Sequence, residues 1–250
     1  AADYIEFDCN QDFVIQFDGT TTTKITPESA YSGQYAFWSN KSDESNMALT
    51  QKFDFSDVNA PIEMSFMTWY DIEVDYDYLY LTASEDGENW EIIETPSCTT
   101  YNPSGNSYGC AYNGATSGWK KEVVDLSQYA GQKVELRFEY VTDAAVNGEG
   151  ILIDDIEIPV IDYFSDFESD NGGWTAHGWV RIQNLLPQTY KVILLEYKSG
   201  DVFINEINLS DAQDAEIRIN GKTNNKTILI VAGTTRFTRQ PAYYRFQSID

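Results

Sequence analysis

Histidine is the residue type that most limits the chemistry of this chain, because the sequence contains one, His177. A thermolysin-type zinc site needs two histidines one helical turn apart, with a glutamate between them as general base. A lone histidine followed by a glycine, in Thr175-Ala176-His177-Gly178, does not supply that arrangement. We therefore predict that the 250 residues hold no catalytic residue and no zinc.

Acidic side chains are the abundant reactive groups, with 40 Asp and Glu against 16 Lys and Arg and a formal net charge of −24. Such a chain repels phosphate backbones, which excludes nucleic acid as a partner. The charge favours either solubility alone or the binding of calcium, a hard cation that takes carboxylate and backbone oxygens. No apolar run approaches the ~20 residues of a membrane-spanning helix, so we predict no membrane span.

One candidate cation site follows a predicted strand. Glu73, Asp75 and Asp77 alternate there with apolar residues, and alternation places them on one face together with Asp71. Like charges on one face repel each other, and a bound cation would relieve that repulsion. A solvated acidic face is the alternative interpretation.

A second acidic segment, Asp154-Asp155, interrupts the apolar run from Ile151 to Ile156. One of these two carboxylates must therefore point inward. A buried carboxylate needs a counter-ion or several hydrogen-bond donors. Calcium and an interior, hydrogen-bonded aspartate are the two interpretations.

The three cysteines predict one disulfide and an oxidising compartment. Cys98 and Cys110 bracket a polar loop rich in Gly and Asn, which a disulfide would close and stabilise. Cys9 is left as a buried free thiol or as the partner of a segment outside this chain. Residues 1–10 lack the features of a signal peptide, so we expect that an exported chain has lost it.

Aromatic residues offer a third kind of site. Most of the 17 Tyr and 6 Trp are expected to fill the core of a sandwich. Tyr101, Tyr108 and Tyr112 lie in or beside the Cys98–Cys110 loop. They are the candidates for a platform on which a sugar ring could stack.

The elements that must position these residues are strands, because apolar and polar residues alternate with a period of two. This pattern predicts an all-β fold, and no stretch keeps a helical period for three turns. The predicted strands are 63–70, 76–84, 90–93, 133–142, 151–158, 179–182, 190–197, 202–209, 215–219, 227–232 and 243–249.

Pro159 predicts a domain boundary, since proline cannot donate to a central sheet ladder. We assign residues 1–160 to a jelly-roll β-sandwich and residues 161–250 to a smaller β-sandwich of short strands. The segments Tyr4–Asp8 and Phe164–Glu168 are alike in sequence. Each is predicted to be the opening edge strand of a sandwich.

Several short motifs occur in a fixed order from about residue 50 to the end of the chain. They include Trp69-Tyr70-Asp71-Ile72-Glu73, Asp75-Tyr76-Asp77-Tyr78-Leu79-Tyr80, Leu136-Arg137-Phe138-Glu139-Tyr140, Ile153-Asp154-Asp155-Ile156, Gly172-Gly173-Trp174-Thr175 and Thr238-Arg239-Gln240-Pro241-Ala242-Tyr243-Tyr244. As a set they resemble the non-catalytic β-sandwich region of secreted bacterial metallopeptidases of the immune inhibitor A family. The peptidase domain of that family carries a His-Glu-x-x-His zinc motif, which this sequence lacks, so its proteolysis does not carry over.

The resemblance implies an extracellular, calcium-stabilised jelly roll related to MAM and carbohydrate-binding sandwiches. In similar jelly rolls a structural calcium lies between the opening strand, an Ala-x-Ser-Gly loop and the final strand. The positions of this sequence that match are Glu6 or Asp8, Ser32 in Ala30-Tyr31-Ser32-Gly33, Asp43, and Asp155 beside Asp154.

These observations predict a calcium-stabilised accessory region of a secreted metallopeptidase of that kind. Its expected partners are an extracellular protein or glycan, or an upstream peptidase domain. Two alternatives stay open. One is a stand-alone extracellular carbohydrate-binding module, and the other is a matrix, filament or surface-layer subunit that assembles through exposed edge strands.

Overall fold

The computed structural model describes residues 2–249, which form antiparallel β-sheets with two short 3₁₀ turns, Ser127–Tyr129 and Pro159–Ile161. The predicted all-β fold is confirmed. Within the described residues no helix is long and apolar enough to cross a membrane. In chain order the strands are β1 (Ala2–Asp8), β2 (Phe13–Gly19), β3 (Thr22–Thr23), β4 (Ala36–Trp38), β5 (Asn46–Asp54), β6 (Glu63–Asp71), β7 (Tyr78–Ser84), β8 (Glu91–Ile92), β9 (Lys120–Asp125), β10 (Lys133–Val141), β11 (Gly150–Ile158), β12 (Tyr163–Ser165), β13 (Thr175–His177), β14 (Val180–Ile182), β15 (Leu186–Pro187), β16 (Tyr190–Lys198), β17 (Asp201–Ile207), β18 (Asp214–Ile219), β19 (Lys226–Gly233) and β20 (Tyr244–Ile249).

The chain divides into two compact units. The larger unit comprises residues 28–184, and the smaller unit combines residues 1–27 with residues 185–250. The larger unit is therefore inserted into the sequence of the smaller one.

The larger unit is a sandwich of two sheets. One sheet has the order β13-β5-β10-β7-β8, and the other has the order β14-β4-β11-β6-β9 with β12 paired to β11. Every second residue of β10 from Val134 to Tyr140 is buried, as alternation requires of a half-buried strand. Phe138 of β10 meets Phe66 of the opposite sheet, with ring centroids 4.9 Å apart. The apolar faces of the two sheets therefore share one core.

The smaller unit contains a four-stranded sheet, β1-β19-β16-β17, a three-stranded sheet, β18-β2-β20, and the ribbon β15-β3. Ile15 and Phe17 of β2 share a core cluster with Val192, Leu229 and Val231 of the four-stranded sheet. The two sheets therefore pack on each other.

This division differs from the boundary predicted near Pro159. Residues 159–161 form one 3₁₀ turn between β11 and β12, which pair with each other from Ile156 opposite Ser165 to Ile158 opposite Tyr163. Pro159 stands in the first turn of that 3₁₀ segment, where its missing N–H is not needed. Strands β12 to β14 thus complete the larger unit, while β1 and β2 pair with strands from the end of the chain.

We expect a fragment of residues 28–184 to fold alone, because it contains every strand of the larger sandwich. A fragment of residues 1–160 lacks β12 to β14 and leaves β1 and β2 without partners. Thermal unfolding followed by near-UV circular dichroism should show a cooperative transition for the first fragment and a weaker or absent one for the second. Equal cooperative unfolding of the two fragments would contradict this division.

Candidate metal centres

Three carboxylates, called the carboxylate cluster below, come together in the larger unit: Glu73, Asp77 and Asp143. One ligand oxygen from each lies within 4.8 Å of the other two. Across residues 2–249, no other group of three His, Cys, Asp or Glu side chains meets this distance. Glu73 and Asp77 lie in the turn between β6 and β7, and Asp143 follows β10.

The backbone of the turn brings the first two members together. The N–H of Asp77 donates to the carbonyl oxygen of Glu73 at 3.2 Å. Asp75, between them, has a φ of +67°, a left-handed conformation that helps to reverse the chain. The N–H of Asp143 donates to Oδ1 of Asp77 at 3.1 Å, which attaches the end of β10 to the turn.

The structure corrects the predicted grouping of Glu73, Asp75 and Asp77 on one strand face. Alternation does not apply, because β6 ends at Asp71, β7 begins at Tyr78 and the residues between them form a turn. Asp75 lies outside the cluster, where its backbone carbonyl accepts hydrogen bonds from the hydroxyls of Tyr78 and Ser104. Asp143 joins instead.

Two members of the cluster, Glu73 and Asp77, have raised pKa values. Burial raises the pKa of the fully buried Asp77, although hydrogen bonds from the Asp143 N–H and the Tyr140 hydroxyl oppose the shift. Burial also raises the pKa of Glu73, and the negative charges of Asp143, Asp77 and Asp43 add to the effect. Oε2 of Glu73 is buried and accepts no hydrogen bond.

The three carboxylates of the cluster are the type of ligand that a hard cation binds. Its ligands are carboxylate oxygens, and no Lys, Arg or His of the described chain forms an ion pair with any of the three. A buried acceptor without a partner costs about 1–3 kcal/mol, which a cation at Oε2 of Glu73 would remove. Calcium takes about six to eight oxygens, so carbonyl groups and water would complete its shell.

Asp43 lies near this cluster, as its charge effect on Glu73 shows. Its Oδ1 accepts a hydrogen bond from Nδ2 of Asn147 at 2.6 Å. The resemblance to similar jelly rolls implies a position for Asp43 beside Asp155, whereas the structure associates Asp43 with Asn147 and Glu73.

A second acidic region surrounds the loop 31–35. β11 has a register shift between Asp154 and Glu157, and Asp155 within it has a φ of +44°. This bulge turns two consecutive side chains to the same loop. Oδ2 of the buried Asp154 accepts the N–H groups of Tyr31 and Ser32 at 2.8 and 3.3 Å. The Ser32 hydroxyl donates to Oδ1 of Asp155 at 2.6 Å.

Glu168, which sequence reasoning did not select, is the third acid on this loop. Its Oε1 accepts the N–H groups of Gln34 and Tyr35 at 2.7 and 2.6 Å. A Cβ at Gly33 would lie 2.3 Å from Cδ of Glu168, so the loop needs glycine there for this close approach. The similarity of Phe164–Glu168 to Tyr4–Asp8 was the signal that could have identified it.

Glu6 and Asp8, the predicted ligands from the opening strand, lie on β1 in the smaller unit. Glu6 forms an ion pair with Lys226 at 2.8 Å. Ser32, Asp154 and Asp155 belong to the larger unit. Within the larger unit, Asp154, Asp155 and Glu168 are the acids that accept hydrogen bonds from the loop 31–35.

Asp154 has the contacts of an interior, hydrogen-bonded aspartate, because its Oδ1 also accepts the N–H of Asp155 at 2.9 Å. Burial raises the pKa of Asp154 to about 7, even though these N–H groups favour the charged form. Oδ2 of Asp155 and Oε2 of Glu168 accept no hydrogen bond from residues 2–249 and are the oxygens left for a cation.

The predicted disulfide between Cys98 and Cys110 is present, with a Cα–Cα distance of 5.2 Å. Of the three tyrosines chosen as ligand-binding candidates, Tyr101 and Tyr108 are 67% and 75% exposed. Tyr112 is fully buried and donates to Oε2 of Glu122 at 3.3 Å, so it cannot contact a sugar in this structure.

Two further motifs have no catalytic geometry. The segment Gly105-Asn106-Ser107-Tyr108-Gly109 has the Gly-x-Ser-x-Gly spacing of a nucleophile elbow. It lies in the disulfide loop without the strand and helix that such an elbow joins, and the Ser107 hydroxyl donates to Gly109 O at 2.8 Å. His177 is an exposed residue of the edge strand β13.

Comparison with known proteins identifies a family to which the sequence is similar. A family profile described as "Immune inhibitor A-like, MAM domain" matches residues 3–184. Immune inhibitor A of Bacillus thuringiensis subsp. alesti is 36% identical over 135 residues, covering 52% of this chain and 18% of that protein. Pre-pro-metalloprotease PrtV of Vibrio cholerae serotype O1 is 30% identical over 128 residues, covering 51% and 13%. Bacillopeptidase F of Bacillus subtilis (strain 168) is 29% identical over 135 residues, covering 52% and 8%.

The pKa of Asp154 predicts a pH dependence of stability. Because burial raises this pKa from 3.8 to about 7, the folded chain binds more protons than the unfolded chain between these values. In calcium-free buffer the contribution of Asp154 to the free energy of unfolding should therefore be greatest near the lower pH and fall as pH rises to about 7, by up to about 4 kcal/mol.

The test is urea unfolding of the wild type and of Asp154→Asn across this pH range, with the exposed Asp57→Asn as matched control. We expect a flatter pH dependence in Asp154→Asn and an unchanged one in the control. Identical pH dependence in the wild type and Asp154→Asn would show that Asp154 ionises normally.

Proposed function

Because the chain belongs to the immune inhibitor A-like MAM domain family, we propose that it is a calcium-stabilised, non-catalytic accessory region of a secreted metallopeptidase. Each matched segment covers less than a fifth of its relative, and one of these relatives, PrtV, is named a metalloprotease. The one histidine of this chain supports a role beside a catalytic domain rather than as one. Its partners in this proposal are an upstream peptidase domain and an extracellular protein or glycan.

The observation that carries the calcium proposal is the buried, unpartnered oxygen of Glu73 within the carboxylate cluster. A divalent cation there would neutralise repulsion among three acids and connect the β6–β7 turn to the end of β10. Extracellular modules bind calcium with dissociation constants of about 10⁻⁴–10⁻³ M, which suits an exported protein. The free oxygens of Asp155 and Glu168 are the second location that we propose.

Calcium should raise the melting temperature of the chain by about 5–10 °C at a concentration roughly 100-fold above its dissociation constant. Glu73→Gln removes the unpartnered charge, so we expect a higher melting temperature without calcium and a smaller rise with it. Asp143→Asn should also reduce the rise. Asp75→Asn, in the same turn but outside the cluster, is the matched control and should respond like the wild type.

Differential scanning calorimetry with chelator and with calcium distinguishes the outcomes. An unchanged melting temperature of the wild type would contradict calcium stabilisation. A full calcium response in both Glu73→Gln and Asp143→Asn would exclude the carboxylate cluster as its source.

A second candidate function, carbohydrate binding, is supported by the setting of Tyr108. One face of its exposed ring stacks on Tyr80, with ring centroids 5.7 Å apart and planes at 22°. Its N–H donates to the Tyr80 hydroxyl at 3.0 Å, and the Cys98–Cys110 disulfide closes the loop. The opposite ring face is therefore presented to solvent on a fixed backbone, as sugar stacking requires.

If this platform binds glycans, Tyr108→Ala should weaken binding of a glycan-array hit at least tenfold. Tyr76→Ala, which removes another exposed tyrosine of the same unit, should bind normally. Isothermal titration calorimetry measures both affinities. The absence of any glycan bound at millimolar concentration would eliminate this candidate.

A further inference from the structure

The four-stranded sheet of the smaller unit, β1-β19-β16-β17, carries apolar side chains on both of its faces. On one face Val192, Leu229 and their neighbours are buried in the core. The opposite face, called the outer face below, is formed by residues that alternate with these core residues along the strands. They include Tyr4, Ile193, Leu195, Ile204, Ile228 and Ile230.

The strand register makes the outer face contiguous. Tyr4, Ile230 and Ile193 stand opposite one another in a row across three strands, and the remaining three residues form the adjacent row. At its borders Tyr4 is 66% and Ile204 is 70% exposed. The four central residues of the two rows, Ile193, Leu195, Ile228 and Ile230, are partly exposed. The largest apolar patch on a monomeric protein is often a functional surface.

The second sheet of the same unit, β18-β2-β20, provides a direct comparison. On its solvent side Glu216, Gln16 and Gln247 are exposed and form one polar row. A sheet in a sandwich needs only one apolar face, which packs in the core. The three-stranded sheet meets this expectation, whereas the four-stranded sheet has an additional apolar face.

The charged residues around the outer face largely neutralise each other. Lys226 pairs with Glu6 at 2.8 Å, and Lys191 pairs with Glu206 at 3.1 Å. Asp8, opposite Lys226 in the register, adds one negative charge. The face is therefore nearly neutral in a chain whose net charge is −24.

We propose that the outer face is an interface at which a second copy of this chain docks. A neutral, apolar surface is complementary to its own copy, as a two-fold interface requires. Two copies that approach through other, acidic surfaces repel each other, whereas approach through the outer face minimises that repulsion. A basic partner, by contrast, would be attracted to the acidic surfaces.

The size of the outer face sets the strength of the contact. Four strands at about 4.8 Å spacing and seven residues at about 3.4 Å each give a projected area of roughly 450 Å². Stable complexes bury about 800 Å² on each partner. The outer face therefore supports a weak dimer that depends on concentration.

Sedimentation equilibrium of the full chain tests this proposal. The average mass should rise from the 28.4 kDa monomer toward the dimer as concentration increases from about 10 µM to about 1 mM. Salt should strengthen association, because about 0.5 M NaCl screens the repulsion between two acidic chains. Association that weakens with salt would overturn the proposal, since it would indicate a contact held by charge.

Ile204→Lys places a charge at the most exposed position of the outer face and should weaken association at least tenfold. Gln247→Lys makes the same charge change on the polar face of the other sheet and should not weaken it. Tyr4→Ser, which adds no charge, is the second variant, and the melting temperature of each variant reports its folding.

A wild type that stays monomeric under all conditions would overturn the proposal. The outer face would then have to be the docking surface of a different protein. Equal association of Ile204→Lys, Tyr4→Ser and Gln247→Lys would place the contact elsewhere on the chain.

Discussion

Strand β1 pairs residue by residue with β19, from Ala2 opposite Ala232 to Asp8 opposite Lys226. This pairing joins the two ends of the chain and determines which residues each sandwich contains. Residues 163–165 pair with β11 in the larger unit, and Glu168 of the same segment contacts the loop 31–35. Glu6 and Asp8 lie on β1, where Glu6 pairs with Lys226 of β19. Contacts of such sequence separation also slow folding, since a long loop must close before they form.

Local patterns in the sequence predicted much of the fold. Strands β10, β11, β16 and β19 lie within one or two residues of their predicted bounds. β10 and β19 bury every second side chain, whereas the first five residues of β11 are all buried and only its apolar run and flanking Gly and Pro marked it as a strand. The inward carboxylate in Asp154-Asp155 was also predictable from its apolar neighbours, and Asp154 is fully buried. The sequence did not predict which strands belong to which sandwich. The pairing of β1 with β19 joins segments more than 200 residues apart, and the residue pattern of a strand does not identify its partner. Asp143 joins the carboxylate cluster through a turn and a strand end, neither of which has a periodic signal.

The two acidic regions differ in how the protein compensates buried charge. Around the loop 31–35, backbone N–H groups donate to Asp154 and Glu168, so that the fold itself supplies much of the stabilisation. In the carboxylate cluster, Asp77 accepts hydrogen bonds from the Asp143 N–H and the Tyr140 hydroxyl, whereas Oε2 of Glu73 accepts none. Under the calcium proposal, a counter-ion would therefore stabilise Glu73 more than it would stabilise Asp154. Burial and the hydrogen-bond inventory, rather than the number of acids, distinguish a candidate metal centre from a solvated acidic surface.

The insertion of the larger unit into the sequence of the smaller one has a mechanical consequence. When the two ends of this chain are pulled apart, the force acts first on the strands of the smaller unit, because both ends belong to it. The larger unit, attached at residues 28 and 184, bears no load until those strands separate. Tension along the polypeptide therefore reaches the larger unit and its acidic sites only after the strands of the smaller unit have separated.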